Sequence, residues 1–362
     1  MKKKLTVVMV PSTSRRNPYL HLLIRHLEEQ GTAVIEGGKS RFFPILTQVI
    51  RNWKPGVVHL HWQHPFLIAG TRFRTVIKSL MFLGELTILK ILGIRLVWTV
   101  HNLTSHEGIF AAVELFFCRR LAGIFHALIV HSRSARRLVM EKYGVSRGGK
   151  IHCIPHARMT DYYPCRISRS PARRKLKIPP KDLVFLSFGL IRGYKNLAFL
   201  IQMFRENPLP GVRLLIVGPP FKMDWQRDLA GQIRNPERIR IIAGFVPEEQ
   251  VQVYMQAADV VLLAHRDSLT SALIPLAMSF GKPVMAPATA MMQELLPGEA
   301  NFFYQPEVAG DFLRVLQEIP RDSKERRARG EINRKRIMGI RWQDTARLTR
   351  QVYRGAREGE SR

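Results

Sequence analysis

Along the first half of the chain, short unbroken apolar runs alternate with longer stretches whose apolar residues recur every three or four positions. LTVVMV (5–10), VVHLHW (57–62), LVWTV (96–100) and ALIVHS (127–132) predict buried strands, and helices are expected between them. Asn17-Pro18 supplies an N-cap and an N1 proline for a helix running to Glu29. Strands apolar on both faces, followed by amphipathic helices, predict a parallel sheet covered on both sides. The rhythm restarts with VFLSFG (184–189), VRLLIVG (212–218), IRIIAGF (239–245), VVLLAH (260–265) and PVMAP (283–287). Between the two series, residues 158–181 mix prolines, serines and basic residues with weak periodicity and predict a linker. The expected class is α/β, with two Rossmann-like domains facing a ligand cleft. The tail from Ser323 is polar and helical, with Trp342, Leu348 and Tyr353 as its apolar anchors.

Composition sharpens this picture. A chain of 362 residues, 46% hydrophobic, builds more than one core and is not disordered. Cys118, Cys153 and Cys165 are odd in number and widely spaced, which excludes a disulfide scaffold and fits a reducing compartment. The apolar run after the basic N-terminus stops at Pro11, so it reads as a cytosolic first strand and not a secretory segment. The formal charge is +29, and residues 1–180 carry 30 Lys+Arg against 8 Asp+Glu. The first half therefore faces something anionic: nucleic acid, lipid or a phosphorylated substrate. Zinc-finger spacing, an RNA-recognition signature and a basic recognition helix are all missing, which argues against nucleic acid. RFRTVIKSLMFL (72–83) has helical apolar spacing with Arg72, Arg74 and Lys78 clustered early. It fits a core helix with a basic edge, or a helix lying in an anionic lipid interface.

Candidate chemistry gathers in loops that follow strands. FLSFGLIRGYKN (185–196) places Arg192 and Lys195 where a diphosphate would meet two cations. Downstream of VVLLAH, Ser268, Thr270 and Ser271 precede an apolar helix; Thr270 or Ser271 is the expected N-cap, a hydroxyl arrangement suited to phosphate. In the first half, TVHNLTSHEG (99–108) carries His101 at a strand end and His106 and Glu107 in the loop beyond. Arg15, Arg16 and Asn17 follow the first strand and are candidates for acceptor phosphates. HLHWQH raises a zinc possibility through His59, His61 and His64, but no Cys or carboxylate completes a set. Trp62 and His64 are instead expected to wall the acceptor site. No Asp-x-Asp motif is present, so neither a metal nor another cofactor is expected.

The order strand-G-x-x-R-x-x-K, LLIVG, GFVPEEQVQVYMQAADVVLLA and AMSFGKPV resembles the donor-binding domain of GT-B glycosyltransferases. It is most similar to family four and neighbouring bacterial exopolysaccharide enzymes. RNPYLHLLIRHLEEQG, VVHLHW, VWTVHNLTSHEG, VHSRSARR and IPH extend the resemblance over nearly the whole chain. It implies an acceptor-binding domain over 1–168, rejoined by a C-terminal helix within 341–362, and a nucleotide-sugar-binding domain over 182–340. Lys195 matches the family's phosphate-binding lysine. The family's arginine usually follows the glycine directly; Leu190 stands there, and Arg192 substitutes. Gly218 ends the matching LLIVG run, and the loop Gly244-Phe245-Val246-Pro247 matches the nucleobase contact. The family's paired glutamates align with Ser268 and Leu276, so the carboxylate that grips ribose is expected from Glu294.

His101 matches the active-site histidine near the transferred sugar. Should the enzyme invert the anomeric centre, Glu107 or a neighbouring histidine is the expected base. The resemblance implies sugar transfer from a nucleotide diphosphate to a membrane-associated saccharide, expectedly polyprenyl-diphosphate-linked, in exopolysaccharide or cell-surface glycan synthesis. The expected location is peripheral, on the anionic inner face of the cytoplasmic membrane, without nucleic acid as partner. A GT-B nucleotide-sugar epimerase and a nucleic-acid-binding protein are the alternatives.

Overall fold

The computed structural model describes residues 5–12, 17–37, 43–51, 55–105, 108–146, 148–221, 223–265 and 269–355. The chain divides into two compact units, Met1–His156 with Arg341–Arg362, and Ala157–Ile340.

The first unit alternates strands and helices in the order β1 (Thr6–Val10), α1 (Pro18–Glu29), β2 (Ala33–Glu36), α2 (Leu46–Arg51), β3 (Val57–Leu60), α3 (His64–Leu67), α4 (Arg72–Ile91), β4 (Arg95–Thr99), α5 (Ala111–Ile124), β5 (Ala127–Val130), α6 (Arg133–Tyr143) and β6 (Ile151–Cys153). Every pairing is parallel, and the six strands lie in the order β2-β1-β3-β4-β5-β6. Helix α1 starts where its sequence dictates: the Asn17 side chain accepts a hydrogen bond from Leu20 N, and Pro18 occupies the first turn. Ser132 caps α6 in the same way, and Gly144 closes that helix in the left-handed region.

The second unit runs α7 (Arg169–Lys175), β7 (Leu183–Phe188), α8 (Leu197–Glu206), β8 (Val212–Gly218), α9 (Met223–Gly231), β9 (Ile239–Ala243), α10 (Glu248–Ala257), β10 (Val260–Leu262), α11 (Leu273–Ser279), β11 (Val284–Pro287), α12 (Ala290–Leu295), β12 (Phe302–Tyr304), α13 (Asp311–Glu318) and α14 (Ser323–Met338). Its parallel sheet has the order β12-β11-β10-β7-β8-β9. Phe185, Leu200, Phe204, Leu214, Ile216 and Leu262 are fully covered in its core. Helix α15 (Trp342–Arg354) then returns to the first unit and packs on α1. Arg95 Nε donates to Val352 O at 3.0 Å, and Trp342 is wholly buried.

Four expectations need correction. Strands β2, β6 and β12 escape the apolar pattern because they are three- or four-residue strands at sheet edges. The first unit ends at His156, not at residue 168. Residues 158–181 are not a free linker: Met159 N donates to Ser279 Oγ, Arg166 N to Gln252 Oε1, and the segment contains α7. Arg173 in α7 is buried, paired with Asp259 at 2.5 Å and donating to the carbonyls of Pro179, Pro180, Asp182 and Ala257. A buried guanidinium that pairs with a carboxylate and fills its remaining donors with carbonyls is tolerated where a bare charge would not be. Helix α4 continues past residue 83 to Ile91 and packs into the core through Phe82, Leu86 and Leu89, but not through the apolar stripe that its spacing predicts. Thr75, Ser79, Phe82 and Glu85 are buried, whereas Phe73, Ile77, Leu80 and Met81 are exposed.

Candidate active site

In the first unit, four adjacent parallel strands each deliver a histidine just past their C-terminal ends. His61 follows β3, His101 β4, His131 β5 and His156 β6. Carboxyl ends of parallel strands are the side on which open α/β sheets bind ligands. Tyr19, in the first turn of α1, lies edge-on to His61, His101, His131 and Trp342 at centroid distances of 5.3–5.8 Å, and 5.0 Å from His156. Trp62 stacks on His101 at 4.7 Å. His61 Nδ1 and His101 Nε2 are 3.2 Å apart, so one ring donates and the other accepts.

Burial dominates the ionisation of this cluster. It pushes His61 and His101 well below the usual histidine range and His131 down to about 4, with repulsion between neighbouring imidazoles adding to the effect at His61 and His101. The rings of His61, His101 and His131 are therefore neutral at neutral pH. His61 Nε2 and His131 Nε2 are buried without a hydrogen-bond partner within the protein. Neutral ring nitrogens beside aromatic walls suit a hydroxyl-rich ligand; a phosphate would call for cations. His59 is not a metal ligand. Its ring nitrogens bond Tyr353 OH at 2.6 Å and Thr99 Oγ1 at 2.8 Å, and burial pushes it down to about 3. No group of three or more His, Cys, Asp or Glu side chains could hold a metal ion among the described residues.

The loop after β4 is tethered from below. Glu114, fully buried in α5, accepts hydrogen bonds from Ser105 N and Ser105 Oγ, both at 2.8 Å. Tyr143 OH donates to Leu103 O at 2.7 Å.

In the second unit, the strand ends are bare where those of the first carry side chains. Gly189 follows β7, Gly218 ends β8 and Gly244 follows β9, three adjacent strands. A Cβ on Gly218 would sit 2.3 Å from Gly189 O, and its φ of +146° is one that side chains rarely adopt. The backbones of the two neighbouring strand ends thus approach each other closely here, with no side chain between them. Lys195 reaches over this platform: its Nζ donates to Phe188 O at 2.9 Å and would lie 3.1 Å from a Cβ on Gly189. Burial, with Arg192 adding repulsion, pushes Lys195 down to about 8. An anion such as a diphosphate would relieve the repulsion between these two cations. The Arg192 guanidinium lies 4.1 Å over the Phe221 ring, which fixes its direction.

The remaining expected residues are less gathered. Phe245 is 76% exposed after Gly244, and Val246 is half-buried beside it. Thr270 and Ser271 are half-buried but neither caps α11. The helix begins one residue later, with Ala272 at the cap and no side-chain cap bond, and Ser271 O accepts from Ile274 N. Glu294 is half-buried in the second turn of α12. The Asn17 side chain is engaged in capping α1, and His64 opens α3. Arg15, Arg16, His106, Glu107 and Ser268 lie outside the described residues. Tyr19, His131, His156 and Glu114 escape a motif search. The signal that could have found the histidines is positional: each stands one to three residues past a strand end.

Residues 7–161 match the family model for Glycosyltransferase Family 4, and residues 168–336 match that for Glycosyl transferases group 1. The chain belongs to the GT-B glycosyltransferases. This glycosyltransferase is 25% identical over 297 residues to a GDP-mannose:glycolipid 4-beta-D-mannosyltransferase of Xanthomonas campestris pv. campestris, covering 80% of this chain and 76% of that one. Its fold resembles the sucrose-phosphate synthase of Thermosynechococcus elongatus, at a TM-score of 0.75 and 16% identity over 98% of this chain and 99% of the other. It likewise resembles Anabaena HepE, solved with UDP and glucose, at a TM-score of 0.71, 16% identity and the same coverage.

Proposed function

We propose that this glycosyltransferase moves a mannosyl group from GDP-mannose to a hydroxyl of a membrane-associated, polyprenyl-diphosphate-linked saccharide during exopolysaccharide or cell-surface glycan synthesis. The observation that carries the donor half is the bare glycine platform with Lys195 and Arg192 beside it. The choice of sugar and acceptor rests on the mannosyltransferase relative.

In this reading Lys195 and Arg192 neutralise the diphosphate as the bond from the anomeric carbon to its leaving oxygen breaks. The Phe245–Val246 backbone meets the base, Glu294 the ribose, and the Ser268, Thr270 and Ser271 stretch the phosphates. In the first unit His101 contacts the sugar, while Trp62, His64, Arg15, Arg16 and Asn17 receive the acceptor. A β-linked product from an α-linked nucleotide sugar inverts the anomeric carbon and requires a base for the acceptor proton. Glu107 or His106 takes that role, in a loop whose near end is anchored by Glu114. The enzyme works as a peripheral protein on the anionic inner face of the cytoplasmic membrane; no helix among the described residues is long and apolar enough to cross one. Thermal unfolding against a panel of GDP- and UDP-sugars tests the donor assignment. GDP-mannose at a hundred times its Kd should stabilise by about 2.7 kcal/mol. A panel in which no nucleotide sugar shifts the transition refutes the assignment.

A further inference from the structure

Helix α4 carries apolar residues on both of its faces. At about 100° per residue, Thr75, Ser79, Phe82, Glu85, Leu86 and Leu89 share one face, and all are buried. Glu85 earns its burial by accepting hydrogen bonds from Ile45 N and Leu46 N, both at 2.7 Å. The opposite face carries Phe73, Ile77, Leu80, Met81, Ile88 and Ile91, all exposed, the first and last at 74% and 79%. The stripe runs about 27 Å along the helix. A stripe this long and continuous, left open by the fold, marks an interaction surface.

Charge identifies what covers it. By helical position, Arg74 flanks the stripe on one side, and Arg72 and Lys90 on the other. Helix α5 packs alongside with Phe116, Arg119 and Arg120 exposed. Within α4 and α5 the only carboxylates are Glu85 and Glu114, and both are buried. Near the end of α4, Lys90 and Lys150 donate to the adjacent carbonyls of Ile124 and Gly123. Burial, followed by repulsion from Lys90, pushes Lys150 down to about 8. The face is thus aliphatic along its middle and cationic at its margins. A second copy of the chain would set these cations against each other. A nucleic acid would gain little from an aliphatic stripe.

We infer that this face of α4 docks on an anionic bilayer, with the stripe from Phe73 to Ile91 lying along the interface and Arg72, Arg74 and Lys90 meeting lipid phosphates. The inference deepens the peripheral-membrane part of the function proposed above and names the surface that performs it. It is tested by co-sedimentation of the full chain with vesicles of phosphatidylglycerol and phosphatidylcholine in equal parts, and with vesicles of phosphatidylcholine alone. Replacing Phe73, Leu80 and Ile91 together by Ser should reduce partition into the mixed vesicles roughly a hundredfold or more. Replacing Arg72, Arg74 and Lys90 by Gln should cost about fivefold per charge on mixed vesicles and leave weak binding to neutral ones unchanged. All six side chains are exposed, so the variants should fold, which an unchanged melting temperature verifies. Wild-type protein that ignores both vesicles, or a serine variant that binds as well as wild type, overturns the inference. So does a wild-type dimer that the serine variant dissociates, since a second copy then covers the stripe. The GDP-mannose shift measured on the same preparations separates the two proposals. Docking without a donor shift sinks only the proposed donor, and a donor shift without docking sinks only the membrane surface.

Discussion

Lys195→Met should stabilise the unliganded protein while removing its donor response. The lysine is held at about 8 against an ordinary 10.5, chiefly by burial and then by Arg192. At about 1.4 kcal/mol per pKa unit, keeping it charged at pH 7 costs the folded state about 3 kcal/mol. Losing its hydrogen bond to Phe188 O gives back about 1 kcal/mol. The variant should therefore be about 2 kcal/mol more stable at pH 7. The pH dependence has a defined sign. Between the folded value and the unfolded one, the unfolded chain binds more protons, so the wild type gains stability as pH rises. Urea melts of both proteins should differ by about 2 kcal/mol at pH 7 and converge near pH 10. GDP-mannose should shift only the wild type. A difference that does not change with pH, or a variant less stable at pH 7, refutes the argument that Lys195 is a charge held in readiness for an anion.

The histidine cluster should make the protein acid-labile. His59, His61, His101 and His131 all have depressed folded values, so their stability contribution is intact above pH 6.5 and is lost as pH falls; each should cost about 1.4 kcal/mol at pH 5.5. Urea melts at pH 7.5 and 5.5 check this, and equal stabilities would contradict it. Gly218→Ala should destabilise by about 2–4 kcal/mol and abolish the donor shift, because its Cβ would collide with Gly189 O; calorimetry with and without GDP-mannose reads both. Glu114→Gln should slow transfer at least tenfold while leaving the donor shift intact, since it loosens the loop beyond His101 in the first unit, whereas the glycine platform belongs to the second. Loss of the donor shift in that variant would count against the role.

Both parallel sheets were legible because their central strands are apolar on both faces, a pattern that leaves few alternatives. VVHL and LLIV could hardly be anything else. AVIE, IHC and FFY at the edges were not legible, since three or four residues covered on one side leave little period to detect. The segment around Arg173 misled for a related reason. A run of arginines looks solvated until the fold supplies Asp259 and four carbonyls. In the site, Lys195, Arg192 and His101 could be picked out because each sits in a loop after a strand. The ring formed by His61, His131, His156 and Tyr19 could not, because its members are separated by up to 137 positions and only the order of strands brings them together. The apolar stripe of α4 was visible as periodicity, but only burial shows that it faces outward.

The most direct test of the central claim is transfer itself. The purified protein is incubated with radiolabelled GDP-mannose and a lipid extract from bacterial membranes that make surface polysaccharide, and the organic phase is counted. Label should pass into an extractable, mild-acid-labile glycolipid with wild-type protein and not with Lys195→Met. Label that stays with the nucleotide under every acceptor extract, or that moves equally well with Lys195→Met, would contradict the account.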